Sequence, residues 1–275
     1  MIFVSGTKRS GTSMWMQALI AAGYPSIGSP YSSHWEDSIK PANPRGFHES
    51  ILRQGVFYAT NPHPQTGEWF HPNKVRSHVV KVFIPGLIRS DFGYITKLVA
   101  TMRHWRHYGP SIRRLYAMED RWLRAQPDFE IRQRQARRSR SSLPAHVDWF
   151  LENFELLQDI ATRQYPVNLT TYDAVIRDPE ATLSTALAWL GGGDLTAAVR
   201  TIEPELQTKI APDHDLSIEA SHAEVFDELY ETIDRGSPLG RSFLLRLNEV
   251  HGELAELYGS LSPERYREQE IDVPL

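Results

Sequence analysis

Apolar and polar positions alternate between two periods along this 275-residue chain. Short runs rich in β-branched and other apolar residues, Ile2 to Ser5, His78 to Ile84, Tyr94 to Met102 and Val167 to Tyr172, predict strands. Elsewhere apolar residues recur at three- and four-residue spacing. That spacing predicts helices near Thr12 to Ala22, Ser111 to Leu123, Pro144 to Tyr165, Pro179 to Leu190, Ala220 to Arg235 and Leu239 to Tyr258. Strands that alternate with helices pair in parallel, because a crossover helix is the usual connection between parallel neighbours. The expected architecture is therefore α/β: three layers around a central parallel sheet, with a helix-rich C-terminal half. One domain spanning residues 1–275 accommodates this pattern, its helical portion running from about 192 to 275.

Two stretches, Ser26 to Gly46 and Asn61 to Lys74, are rich in Pro, Gly, Ser, His and Asn and read as long loops, a length usually tied to function or mobility. Arg132, Arg134, Arg137, Arg138 and Arg140 form a dense basic run, either a solvated surface stretch or an arm that guides an anionic substrate. Composition narrows the picture: 41% hydrophobic and 23% charged residues are globular values. The absence of cysteine removes disulfides, thiolate metal sites and cysteine nucleophiles. A formal charge of −4 argues against a polycation built for nucleic acid or an anionic membrane. No apolar run approaches the length of a membrane span, and the first apolar stretch, Ile2-Phe3-Val4, runs into a glycine turn, so a cytoplasmic setting is the expectation.

The segment Ser5-Gly6-Thr7-Lys8-Arg9-Ser10-Gly11-Thr12-Ser13 carries the chemistry. A buried strand feeds a Gly/Ser/Thr loop that opens a helix, which aims free backbone N–H groups and a helix N-terminus at one point, an anion site. Gly6 and Gly11 let the backbone approach a phosphate, the hydroxyls of Ser10, Thr12 and Ser13 add donors, and Lys8 and Arg9 add charge. The Gly6-x4-Gly11 spacing matches a P-loop, but Thr12 stands where a nucleoside triphosphatase needs its lysine. The loop thus suits a phosphate group better than ATP hydrolysis.

Thr7-Lys8-Arg9-Ser10-Gly11-Thr12-Ser13 resembles the 5′-phosphosulfate loop of the sulfotransferases that use 3′-phosphoadenosine 5′-phosphosulfate (PAPS), P-loop-type proteins with bacterial members. Leu98 to Arg103, a strand ending in arginine, followed eight residues later by Ser111, resembles the pair that holds the 3′-phosphate in that family. A planar guanidinium fork and a hydroxyl near a helix start suit phosphate oxygens. His104 to Pro110 departs from the family's turn, so that Arg106 can share or take over the role. Thr171-Tyr172-Asp173, then Asp178-Pro179 and a helix ending at Leu190-Gly191, resembles a third family segment, whose tyrosine lies near the adenine; plain packing is the alternative for Tyr172. Asn43 to Glu49 resembles a segment of bacterial members, so the likeness spans roughly residues 2 to 191.

The resemblance implies sulfuryl transfer from PAPS, with the adenosine bisphosphate PAP as product, to a hydroxyl or amine of a small-molecule or natural-product acceptor by in-line displacement, without a metal. Lys8, Arg9 and Lys81 are the expected cations. Val80-Lys81-Val82-Phe83 resembles the family's lysine–histidine segment, but Phe83 stands in the histidine's place, so either the acceptor is acidic enough to need little help or the base is His48 or Glu49, then His34 or Glu36. Tyr31, Trp35, Trp69 and Phe70 are candidates for an acceptor pocket. A P-loop kinase or phosphotransferase and a non-catalytic nucleotide-binding module are the alternatives. Homo-oligomerisation stays open.

Overall fold

A computed structural model describes residues 1–31, 35–138, 140–203, 211–213 and 218–258, without the side chains of Trp35, Glu36 and Arg138. Its centre is a five-stranded, all-parallel sheet built from β1 (Ile2–Ser5), β2 (Ser26–Ile27), β3 (Val79–Lys81), β4 (Lys97–Met102) and β5 (Val167–Thr171), in the order β2-β3-β1-β4-β5. Helices cover both faces, which makes the fold a three-layer α/β arrangement as the alternation of elements predicts.

The period-two pattern of β1 assigns each face its core. Ile2 and Val4 point to one side, where they pack with Trp15, Met16 and Leu19 of α1 (Thr12–Ala21), Leu183 and Leu187 of α8 (Pro179–Leu190) and Ala198 of α9 (Leu195–Val199). Phe3 points to the other, against Val80, Leu98, Leu87 of α3 (Ile84–Arg89) and Leu156 of α6 (Ala145–Arg163). A third cluster lies beyond the end of β4, where Met102, Trp105, Trp149 and Phe150 meet α10 (Ala220–Asp234) and α11 (Arg241–Tyr258). The helix-rich C-terminal part is thus packed on the carboxyl end of the sheet, the end at which open parallel sheets bind ligands.

Several boundaries differ from the sequence pattern, each for a local reason. The apolar run His78 to Ile84 is strand only over β3, because Pro85 in the first turn starts α3. The run from Tyr94 begins as a one-turn helix capped by Asp91, and strand pairing starts at Lys97. The Ser26 to Gly46 stretch holds β2, α2 (Trp35–Ile39) and the single turn Lys40–Ala42. The basic run lies in α5 (Phe129–Arg138), which ties Arg132 to Asp128 one turn back at 2.7 Å, while Arg140 pairs with Glu119 and Asp120 of the preceding helix.

The largest difference is α4, which spans Trp105–Leu123 and so starts before Ser111, not at it. His104 caps it, its Nδ1 accepting from the Arg106 N–H at 3.2 Å, and Pro110 sits inside. Proline has no N–H for the carbonyl of Arg106. The N–H of Asp213 takes that acceptor instead, at 2.9 Å, and the Asp213 carboxylate grips Arg113 at 2.7 Å. Among the described residues no helix is long and apolar enough to cross a membrane.

Candidate anion-binding site

The loop between β1 and α1 is fixed by its neighbours before any ligand enters. Gly6 lies against β4 so closely that a Cβ would stand 2.3 Å from the Thr101 carbonyl oxygen. The Thr101 hydroxyl donates to the carbonyl of Ser10 at 3.0 Å, and the Ser10 hydroxyl donates to that of Thr7 at 2.7 Å. At the N-terminus of α1, Gly11 has φ 102°, and a Cβ there would meet the Tyr172 ring at 2.8 Å. No side chain caps this helix, so its first-turn amides stay available as donors.

Two guanidinium groups converge beside that helix start. Arg9, at the loop crest with φ 69°, turns its side chain away from the crest: its Nε donates to Ser111 Oγ at 3.2 Å and its Nη2 to the Ala42 carbonyl at 3.2 Å. Arg103, at the end of β4, directs Nη1 to the same Ser111 Oγ at 3.4 Å and to the Arg9 carbonyl at 3.2 Å. Ser111 itself is buried on α4. The Trp149 indole holds the Arg103 backbone at 2.7 Å, and the Tyr172 ring lies 5.0 Å beneath the guanidinium. Tyr172 opens α7 (Tyr172–Arg177), whose start the Thr171 hydroxyl caps.

The electrostatics of this pair are those of an unsatisfied anion receptor. Among the described residues no carboxylate ion-pairs with Arg9 or Arg103, and the buried Nε of Arg103 has no hydrogen-bond partner. Burial, with Arg103 and Arg114 close by, pushes Arg9 down to about 10. Burial likewise lowers Arg103, partly offset by Tyr172, Asp173 and Tyr230. Two desolvated cations sharing one neutral hydroxyl repel each other, and a bound anion would reverse the sign of that term. The unmet donor is of the type a phosphate oxygen satisfies, so the residues present fit a phosphorylated ligand.

Lys81 completes the other side. Buried at the end of β3, its ammonium donates to Ser13 Oγ at 3.1 Å, the Phe47 carbonyl at 3.3 Å and Glu49 Oε1 at 2.6 Å. The three donors of the group are thereby engaged. Lys81 orients Ser13 and pins the 47–49 segment, and Glu49 serves as its counter-ion. His48, between them, has φ 52° and is half-buried; burial, with the charge of Lys81, lowers its pKa, so its imidazole is neutral at pH 7. Lys8 stands 6.0 Å over the Phe83 ring, and Lys81 5.7 Å over the same ring.

The structure thus gathers Lys8, Arg9, Ser10, Gly11, Thr12, Ser13, Lys81, His48, Glu49, Arg103, Ser111 and Tyr172 around one loop and helix start. Arg9 faces Ser111 instead of the loop crest, and Ser10's hydroxyl is spent inside the loop. Arg106 is turned to Asp227, at 3.3 Å. Of the aromatics proposed for a pocket, Tyr31 packs edge-on against Phe47, Phe70 packs into the core, and Trp69 lies exposed against His71. His34 and the side chains of Trp35 and Glu36 lie outside the described residues. Among the described residues no cluster of His, Asp and Glu could hold a metal ion. The Lys81–Glu49 pair was not foreseen; its signal is a lone charge in the apolar run Val79 to Ile84, which demands a buried partner. Comparison with protein-family models, with curated proteins and with solved structures returns no match.

Proposed function

We propose that the protein is a cytoplasmic sulfotransferase that moves the sulfuryl group of PAPS to a hydroxyl or amine of a small-molecule acceptor. The observation that carries this reading is the pair of guanidiniums on Ser111 beside an uncapped helix start, two anion-binding points set next to each other. A ligand phosphorylated at two separate positions uses both. Thr12 in place of the P-loop lysine disfavours a kinase, which would need that charge on the terminal phosphate of ATP.

When bound, PAPS supplies a sulfuryl group joined to a phosphate leaving group. Arg103, Arg9 and Ser111 would hold the 3′-phosphate, and the first-turn amides of α1 with Thr12 and Ser13 the 5′ end. Lys8, whose ammonium makes no ion pair among the described residues, meets developing charge on the sulfuryl oxygens. Neutral His48 accepts the proton that the acceptor hydroxyl loses, and Phe83 lends the site an apolar wall beside Lys8 and Lys81. Lys81 acts through Ser13, as a positioning residue.

Calorimetry with PAP against ATP and Mg²⁺ tests the reading. Tight PAP binding that Arg103→Ala weakens by about 10- to 100-fold supports it, and a preference for ATP with Mg²⁺ overturns it in favour of a phosphotransferase. Transfer of labelled sulfate to an acceptor panel separates an enzyme from a binding module.

A further inference from the structure

His107 lies one helical turn before Ser111 on α4, and residues four apart on a helix share a face. A helical side chain leans toward the turn preceding its own Cα, so the Ser111 hydroxyl leans toward His107. The other polar groups of this turn are committed. His104 accepts from the Arg106 N–H and lies 3.5 Å from Asp227, Arg106 pairs with Asp227, and Trp105 donates to the same carboxylate at 2.6 Å. His107 is half-buried, its ring 5.7 Å from that of His104, and among the described residues its imidazole has no hydrogen-bond partner.

We infer that His107 is a further ligand of the anion held by Arg9, Arg103 and Ser111, its imidazole N–H reaching a phosphate oxygen that the two guanidiniums leave free. The neighbourhood supports this placement. Burial lowers the pKa of His107, the positive charge of Arg103 lowers it further, and Asp173 opposes both. The imidazole is therefore neutral at pH 7 and offers one donor without adding a third positive charge to a crowded site. A third donor at a fixed angle distinguishes a terminal phosphate, which presents three oxygens, from a ribose hydroxyl, which presents one. His107 is accordingly a selectivity determinant for the phosphorylated nucleotide, an inference that rests on the sulfotransferase reading for the ligand's name but not for the site's chemistry.

Three probes test it on the full chain: PAP, adenosine 5′-phosphate and inorganic phosphate, each titrated into the natural protein, His107→Ala and His107→Gln. The expected result is a loss of about tenfold or more in the His107→Ala affinity for PAP and for inorganic phosphate, the scale of one hydrogen bond to a charged group. Adenosine 5′-phosphate, which lacks the 3′ group, binds unchanged, and His107→Gln, which keeps an N–H donor, recovers much of the loss. Unchanged PAP and phosphate affinities in His107→Ala overturn the inference, as does an equal loss for all three probes. Should the natural protein fail to prefer PAP over adenosine 5′-phosphate, the functional reading falls; the inorganic phosphate arm still decides the role of His107.

Discussion

The Arg103 guanidinium donates to the main-chain carbonyl of Arg9 at 3.2 Å, so the end of β4 grips the glycine loop by its backbone. That one contact explains why a cation on the glycine loop and one at the end of β4 face a single hydroxyl. The strand end fixes the loop, the loop turns Arg9 inward, and both meet Ser111.

Arg103→Ala removes one guanidinium and the support of the loop crest. We expect PAP affinity to fall by about 10- to 100-fold, the worth of one or two charge-assisted hydrogen bonds. Arg103→Lys should recover little, because a point charge cannot span both the Arg9 carbonyl and a phosphate. Equal affinities for Arg103→Lys and the natural protein, measured by calorimetry, would contradict the shared grip.

Glu49→Gln leaves a buried ammonium without its counter-ion. Breaking such a pair costs about 3–5 kcal/mol, and urea denaturation at pH 7 should show a loss of that order. Burial already holds the pKa of Lys81 below its usual value, and loss of Glu49 lowers it further. A depressed pKa means that the unfolded chain binds more protons, so the variant's stability rises as pH climbs toward 10.5. The double variant Glu49→Gln, Lys81→Met should be more stable than Glu49→Gln alone; a double variant that is worse refutes the pairing.

Gly11→Ala faces two penalties: φ 102°, which L side chains rarely adopt, and a Cβ placed 2.8 Å from the Tyr172 ring. The first alone costs roughly 1–2 kcal/mol. The second pushes Tyr172 from beneath Arg103. We expect weaker PAP binding beyond the stability loss, and Gly11→Ala with Tyr172→Ala should relieve part of the strain. A Gly11→Ala protein as stable as the natural one, by thermal melting, removes this reading of the helix start.

His48, His104, His107, His146 and His251 all have pKa values lowered, with burial the largest cause in each. Unfolded histidines titrate near 6.5, so below that pH the unfolded chain takes up protons that the folded chain refuses. Stability should therefore be full above pH 6.5 and decline as pH falls through the lowered values. A melting temperature at pH 5.5 equal to or above that at pH 7.5 would count against it. Sulfate transfer should hold down to lower pH than a free imidazole allows, since neutral His48 is the working form.

Much of the sheet was legible because its central strands are short apolar runs bounded by glycine or proline. β1, α8 and the loop between Gly6 and Gly11 lie where the pattern places them. What escaped was set by tertiary contact. The pattern starts a helix at Ser111, yet α4 runs through Pro110 because Asp213 from a distant stretch satisfies the orphaned carbonyl. β2 is too short to show a period and exists through its pairing with β3. The basic run reads as a charged stretch, but carboxylates on Asp128, Glu119 and Asp120 organise it. The direction of Arg9 depends on a left-handed backbone that no residue type announces.

The bond from Asp213 to the Arg106 carbonyl has a mechanical corollary. The chain beyond α9 is hitched to the helix bearing Ser111 one turn ahead of that serine. Tugging on residues 211–213 therefore strains the hydroxyl on which both guanidiniums rest, and clamping that hydroxyl against a ligand steadies the hitch. The Ser111 hydroxyl and residues 211–213 are two ends of a single lever.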